Sequence, residues 1–197
     1  GTPKPRRRNA GAVSASGPRT MLRMLLVTLA VVLPTALHAQ SGGKTVDERM
    51  AMPLFPSGWT EYPTQGGSAE IVEFVPKGQS PAQWSEKITL EIHRGANALP
   101  PDAFQGRALA VFRDSCDGVV ERPVQTGLNN GYPSAFWILG CMRDRNGTFG
   151  EIRYTKAVQG DGTLYLLSRS WRSKPFPDGV APITPQQADD AVNFLST

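Results

Sequence analysis

From residue 57 onward, apolar and polar positions alternate with a period of two through most of the chain, and they change to a helical period in two places. Trp59–Tyr62 begins a strand, Gly66-Gly67 marks a hairpin turn, and Ser68–Val75 returns with Ile71, Phe74 and Val75 set against Glu70 and Glu73. Lys87–Arg94 alternates cleanly: Ile88, Leu90 and Ile92 share one face, and Thr89, Glu91 and His93 share the other. Between these strands, Ser80-Pro81-Ala82-Gln83 carries a serine cap, a first-turn proline and a glutamine three residues on, which predicts a short helix. Pro100-Pro101-Asp102 opens the main helix, whose apolar stripe is Phe104, Ala108, Val111 and Phe112, with Arg107, Arg113 and Asp114 on the wet side.

The second half is a run of strands. Val119–Val124 is predicted as a strand weakened by Pro123, and Asn129-Asn130-Gly131 as a turn. Tyr132–Met142 is the most apolar segment, continuous through Phe136-Trp137-Ile138-Leu139, a pattern expected of a strand in the middle of a covered sheet. Asn146-Gly147 and Gly160-Asp161-Gly162 then punctuate Thr148–Val158 and Thr163–Trp171, giving an antiparallel meander. Thr184-Pro185-Gln186-Gln187 repeats the capping signature and starts a closing helix marked by Ala188, Val192 and Leu195. Two amphipathic helices must cover sheet faces. The expected fold is therefore α+β, an antiparallel sheet of about six or seven strands flanked by helices.

The first 39 residues change how composition is read. Met21 is a better start than Gly1: Arg23 precedes an unbroken apolar or small run from Met24 to Leu33, followed by Pro34 and the small-residue end Ala36-Leu37-His38-Ala39. That is the layout of a signal peptide cut after Ala39, and the run is too short to span a bilayer, which takes ~20 apolar residues. The expected organisation is an upstream extension over 1–20 foreign to the natural protein, a signal peptide over 21–39, a flexible arm over 40–56 and a single domain over 57–197. Six of the 21 basic residues and none of the 17 acidic ones lie within 1–39, so the formal charge of +4 becomes −2 after cleavage. A chain near −2 lacks the dense basic face that nucleic acid requires.

At the level of element order the chain resembles the PsbP-like α/β/α sandwich, the fold of the extrinsic photosystem II protein and related small secreted or envelope proteins. The likeness rests on the Trp59–Val75 hairpin, the Leu99–Cys116 helix, the Gly131-Tyr132-Pro133 entry to a central strand, and the Thr163–Ser170 strand followed by a helix. It spans about Ser57 to Ser196. With Trp84-Ser85-Glu86 and two cysteines, the chain also resembles a group of uncharacterised secreted proteobacterial proteins. Neither likeness supplies catalytic residues, and fold does not fix function.

Candidate chemistry is sparse. Cys116 and Cys141 are the two cysteines, and in an exported bacterial protein an even pair is expected to form a disulfide. Their spacing is not that of a redox C-x-x-C motif. His93 is the one histidine left after cleavage, so any nucleophilic triad has to use it. Zinc needs several grouped His or Cys ligands, and none are grouped; no metal and no cofactor is expected. Asp47-Glu48, Asp114 with Asp117, and Asp189-Asp190 are acidic pairs typical of solvated faces. Glu70, Glu73, Glu86 and Glu91 contain the material for a hydrolase pair, with no separation fixed by sequence. Trp84, Arg169, Trp171 and Arg172 form the candidate interaction surface, since Arg and Trp are enriched in interface hot spots.

The expected function is an exported, periplasmic or secreted, non-enzymatic binding or accessory protein with a protein partner in the cell envelope, no nucleic acid partner and no stable membrane span after cleavage. Two alternatives stay open: an envelope hydrolase using carboxylates and His93, and a carrier of a small apolar ligand held between sheet and helix.

Overall fold

The strand and helix periods described above assemble into one sheet with a helix on each face. A computed structural model describes residues 50–55, 57–96 and 99–196. The upstream extension 1–20, the signal peptide 21–39 with its cut after Ala39, and Asp47-Glu48 lie outside the described residues. The elements in order are β1 (Trp59–Gly66), β2 (Ala69–Pro76), β3 (Glu86–Arg94), α1 (Ala103–Ser115), β4 (Val119–Glu121), β5 (Gln125–Asn129), β6 (Tyr132–Cys141), β7 (Gly150–Gln159), β8 (Thr163–Ser173) and α2 (Pro185–Ser196). No helix among the described residues is long and apolar enough to cross a membrane.

The sheet order is β1-β2-β3-β8-β7-β6-β4, with β5 also on β6, and every pairing is antiparallel. This is the α/β/α sandwich expected from the element order. β8, not β6, occupies the middle: it returns across the sheet to pair with β3 from Glu86↔Trp171 to Arg94↔Thr163. β6 has only the short β4 and β5 outside it. A continuous apolar run reports cover on both faces, which β6 has, and says nothing of how many strands lie beyond.

Each face has its own core. Phe104, Leu109 and Phe112 of α1 pack with Trp137, Leu139, Ala157, Leu164 and Leu166. Ala191 and Leu195 of α2 pack with Ile88, Ile152, Tyr154, Leu167 and Trp171. Met50, Met52 and Phe55 join this second core, with Phe55 stacked on Phe74 at 4.2 Å, so the described part of the N-terminal arm is packed. Two residues of the predicted stripes point outward: Val111 is 65% exposed and Val192 is 44% exposed. Leu109 takes the place of Val111, and Ala191 with Phe194 that of Val192, because the helices contact the sheet about one position round from the stripe the spacing suggests.

Local signals also resolve differently. Ser80–Gln83 is a tight turn closed by Ser80 N to Gln83 O at 3.1 Å and Gln83 N to Ser80 O at 3.0 Å, not a helix. The serine hydroxyl does accept the Gln83 N–H at 3.2 Å. Strand β3 starts at Glu86, too soon for a helix to repay its nucleation. The same signature succeeds at Thr184, where Gln187 N donates to Thr184 Oγ1 at 3.2 Å and Thr184 N donates to Gln187 Oε1 at 2.9 Å, because α2 has room to propagate. The expected strand 119–124 is shortened to β4, which stops before Pro123, and β5 over Gln125–Asn129 is a further strand that the sequence reading did not include. β5 turns into β6 through Asn130 (φ 51) and Gly131 (φ 88), a left-handed pair that suits the twist of a hairpin.

Cys116, which ends α1, and Cys141, the last residue of β6, form a disulfide with Cα atoms 5.5 Å apart. The connection from β6 to β7 is organised by Asp144. Its carboxylate accepts the backbone N–H groups of Asn146 (3.2 Å), Thr148 (2.6 Å) and Phe149 (2.9 Å), and the Thr148 hydroxyl (3.0 Å). The Phe149 N–H holds its carboxyl below the ordinary range; desolvation opposes this, and the Thr148 and Asn146 bonds assist. A carboxylate with a depressed pKa stabilises the fold above its unfolded pKa and loses that contribution as pH falls through the folded one. The thermal midpoint is therefore expected to fall as pH drops below about 4, and Asp144→Ala should lower the neutral-pH midpoint and flatten that acid limb. Thermal melts of both proteins across that range check it; parallel acid limbs would remove Asp144 as their cause.

Candidate functional site

Strand alternation places one row of polar side chains across the α1 side of the sheet, beside the helix. Tyr62 of β1 stands opposite Glu73 of β2, Glu73 opposite Thr89 of β3, Thr89 opposite Ser168 of β8, and Ser168 opposite Thr155 of β7. The next row runs from Lys87 to Ser170 to Arg153. Helix α1 sits over the apolar part of this face, and its two phenylalanines mark where the polar band begins. The Phe104 ring meets His93 edge-on at 5.3 Å, and the Arg153 guanidinium lies 5.2 Å from the Phe112 ring centre.

The band is ionic but internally paired. Lys87 Nζ is 2.5 Å from Glu73 Oε1. His93 Nε2 is 3.2 Å from Glu91 Oε2. Arg153 donates to Glu151 Oε1 from Nη2 (2.8 Å) and Nε (3.1 Å), and Nε also reaches Ser170 Oγ at 3.2 Å. Thr155 and Ser168 share a hydrogen bond at 2.9 Å. Burial works against the Arg153 charge, but Glu151, with Glu91 and Glu73 behind it, outweighs burial and holds the guanidinium above its ordinary range. Arg153 is thus the electrostatic centre of the band.

This arrangement bears on the chemistry considered from sequence. Glu73 and Glu91 come to one face, whereas Glu70 pairs with Arg94 at 2.9 Å and Glu86 with Arg169 at 2.6 Å on the other. The four carboxylates therefore do not converge. Glu73, Glu91 and Glu151 each have a cationic or imidazole partner within the band. No group of three or more His, Cys, Asp or Glu among the described residues is placed to hold a metal ion.

Trp84, Arg169, Trp171 and Arg172 do not form one patch. Trp171 is 4% exposed in the α2 core, and Arg169 lies 5.0 Å over its ring while donating to Asp190 O at 3.1 Å. Trp84 is 6% exposed and stacks with Arg172 at 4.4 Å; Phe149 covers the same guanidinium at 4.1 Å. Residues 169 and 171 point to one side of β8 and residue 172 to the other, as the period of two requires. Sequence reasoning missed Glu151 and Arg153. Their alternation with Thr155 was the available signal, hidden in a segment chosen for its turn residues.

No family model matches the chain, and no curated protein matches it. Among solved structures, it is similar to the Ran-binding protein Mog1p of Saccharomyces cerevisiae, with a TM-score of 0.43 at 11% identity over 72% of this chain and 77% of that one. A point mutant of Mog1 gives a TM-score of 0.42 at 11% identity over the same shares.

Proposed function

We propose that this is an exported binding or accessory protein, periplasmic or secreted, that engages a protein partner of the cell envelope rather than catalysing a reaction. The observation that carries this reading is the paired state of the polar band. Here opposed, part-exposed charges lie in fixed rows over the buried hydroxyls of Thr155, Ser168 and Ser170, which suits recognition of a polar surface with complementary charge. The leader pattern over 21–39 and the disulfide support export.

Affinity capture from the periplasm of the source organism, with chemical crosslinking, tests the reading. The unaltered protein is expected to retain one reproducible partner, and Thr89→Arg or Glu91→Lys to lose it while keeping the parent unfolding midpoint. No reproducible partner, or a partner indifferent to both changes, would overturn it.

A further inference from the structure

On the α2 side, away from the polar band, a cleft of about 510 Å³ opens between β4 and the segment from Phe176 to Ile183. Its apolar lining includes Val120, Ile138, Ile152 and Ile183. This size falls within the several hundred Å³ typical of small-molecule sites, as does an apolar lining with a few polar groups. Two of its polar groups are hydrogen-bond donors. Arg122 is anchored through its backbone, N to Ile138 O at 3.1 Å, while no hydrogen bond or ion pair to the described residues engages its exposed guanidinium. The other donor is Tyr154, whose ring is fixed edge-on against Trp171 at 6.2 Å. Burial pushes the Tyr154 phenol up, so it stays a protonated donor; Arg122 acts on it in the lowering sense and Asp189 in the raising sense. The Asp178 carboxylate on the rim accepts the N–H of Gly179 at 2.9 Å.

We propose that this cleft binds a small organic carboxylate with an apolar body. The apolar floor takes the hydrocarbon or aryl part. The carboxylate lies on the β4 side, where Arg122 supplies the cation and Tyr154 can donate; Glu121 of β4 also lines the cleft but its carboxylate is taken by Gln105 at 2.6 Å and Arg113 at 3.5 Å, and Asp189 lies on the α2 side. The site is separate from the polar band, so the inference stands whether or not that band binds a partner.

Isothermal titration of the purified protein with octanoate, and with octylamine as a control of equal length and opposite charge, tests it. Octanoate is expected to bind about two- to fivefold more tightly than octylamine, the scale of an ion pair to an exposed guanidinium. Arg122→Met should weaken octanoate by about the same factor with the unfolding midpoint unchanged, since the side chain is exposed. Tyr154→Phe keeps the ring and should weaken it by a smaller factor. Equal binding of the two probes, no binding of octanoate at millimolar concentration, or octanoate affinity unchanged in both variants would overturn the proposal.

Discussion

Trp137→Ala is expected to cost the fold about 3–5 kcal/mol, the largest effect of any single substitution considered for this protein. Trp137 is 1% exposed and packs with Phe112, Leu139 and Leu166 where α1 meets the sheet. Removing the indole opens a cavity between helix and strand that the paired backbones of β6 and β7 cannot close. The indole also has a weakness: its Nε1 is buried without a hydrogen-bond partner among the described residues. A buried orphan donor costs about 1–3 kcal/mol, so Trp137→Phe, which keeps a ring and discards the donor, should be far milder than the alanine change. Urea unfolding of the three proteins measures both differences. A phenylalanine variant as unstable as the alanine one would show that ring volume, and not the stranded N–H, governs the site.

Breaking the Cys116–Cys141 bond ranks second. With a sequence separation of 25, the bond restrains the unfolded chain by an amount worth about 3 kcal/mol, so Cys116→Ser with Cys141→Ser should lower stability by about that much. The native geometry around the bond is held independently. Asp117 N donates to Arg143 O at 2.8 Å, Met142 N to Gly118 O at 3.0 Å and Arg145 N to Ser115 O at 3.0 Å. The loss is therefore expected to act mainly through a more open unfolded state, with a larger dependence on denaturant concentration in the double variant. Denaturant unfolding under non-reducing conditions checks both numbers. Equal stability with and without the bond would mean that the chain between the cysteines keeps its structure when the rest unfolds.

Much of the fold was legible because it rests on local rules. The Asn130-Gly131 turn follows from backbone sterics at positive φ, and the capped start of α2 from a side chain that reaches its own third neighbour. The two faces of β3 follow from a period of two. The failures came where a local signal competes with something distant. Ser80–Gln83 makes its capping hydrogen bond and still forms no helix, because β3 claims the following residues. For the Trp/Arg quartet, alternation along the last strand sets Arg169 and Trp171 on one side, but neither it nor residue type says what lies above that side, and the structure buries Trp84 and Trp171. The polar band was out of reach for the same reason: Tyr62, Glu73, Thr89, Ser168 and Thr155 are scattered across the chain and meet only through strand pairing.

By itself, then, the sequence determined an α+β chain, the extent of most strands, two amphipathic helices and a cysteine pair with one possible bond. Each is set by periodicity, turn chemistry or parity within a short span. The tertiary structure alone decided that β8 runs between β3 and β7, that Arg153 is surrounded by three carboxylates, and that Arg122 overhangs an apolar cleft. The physical reason is that alternation fixes the face a residue shares with its neighbours two positions away. The residue opposite it is fixed by the register of strands distant in sequence, and that register is settled when both faces of the sheet find their cover.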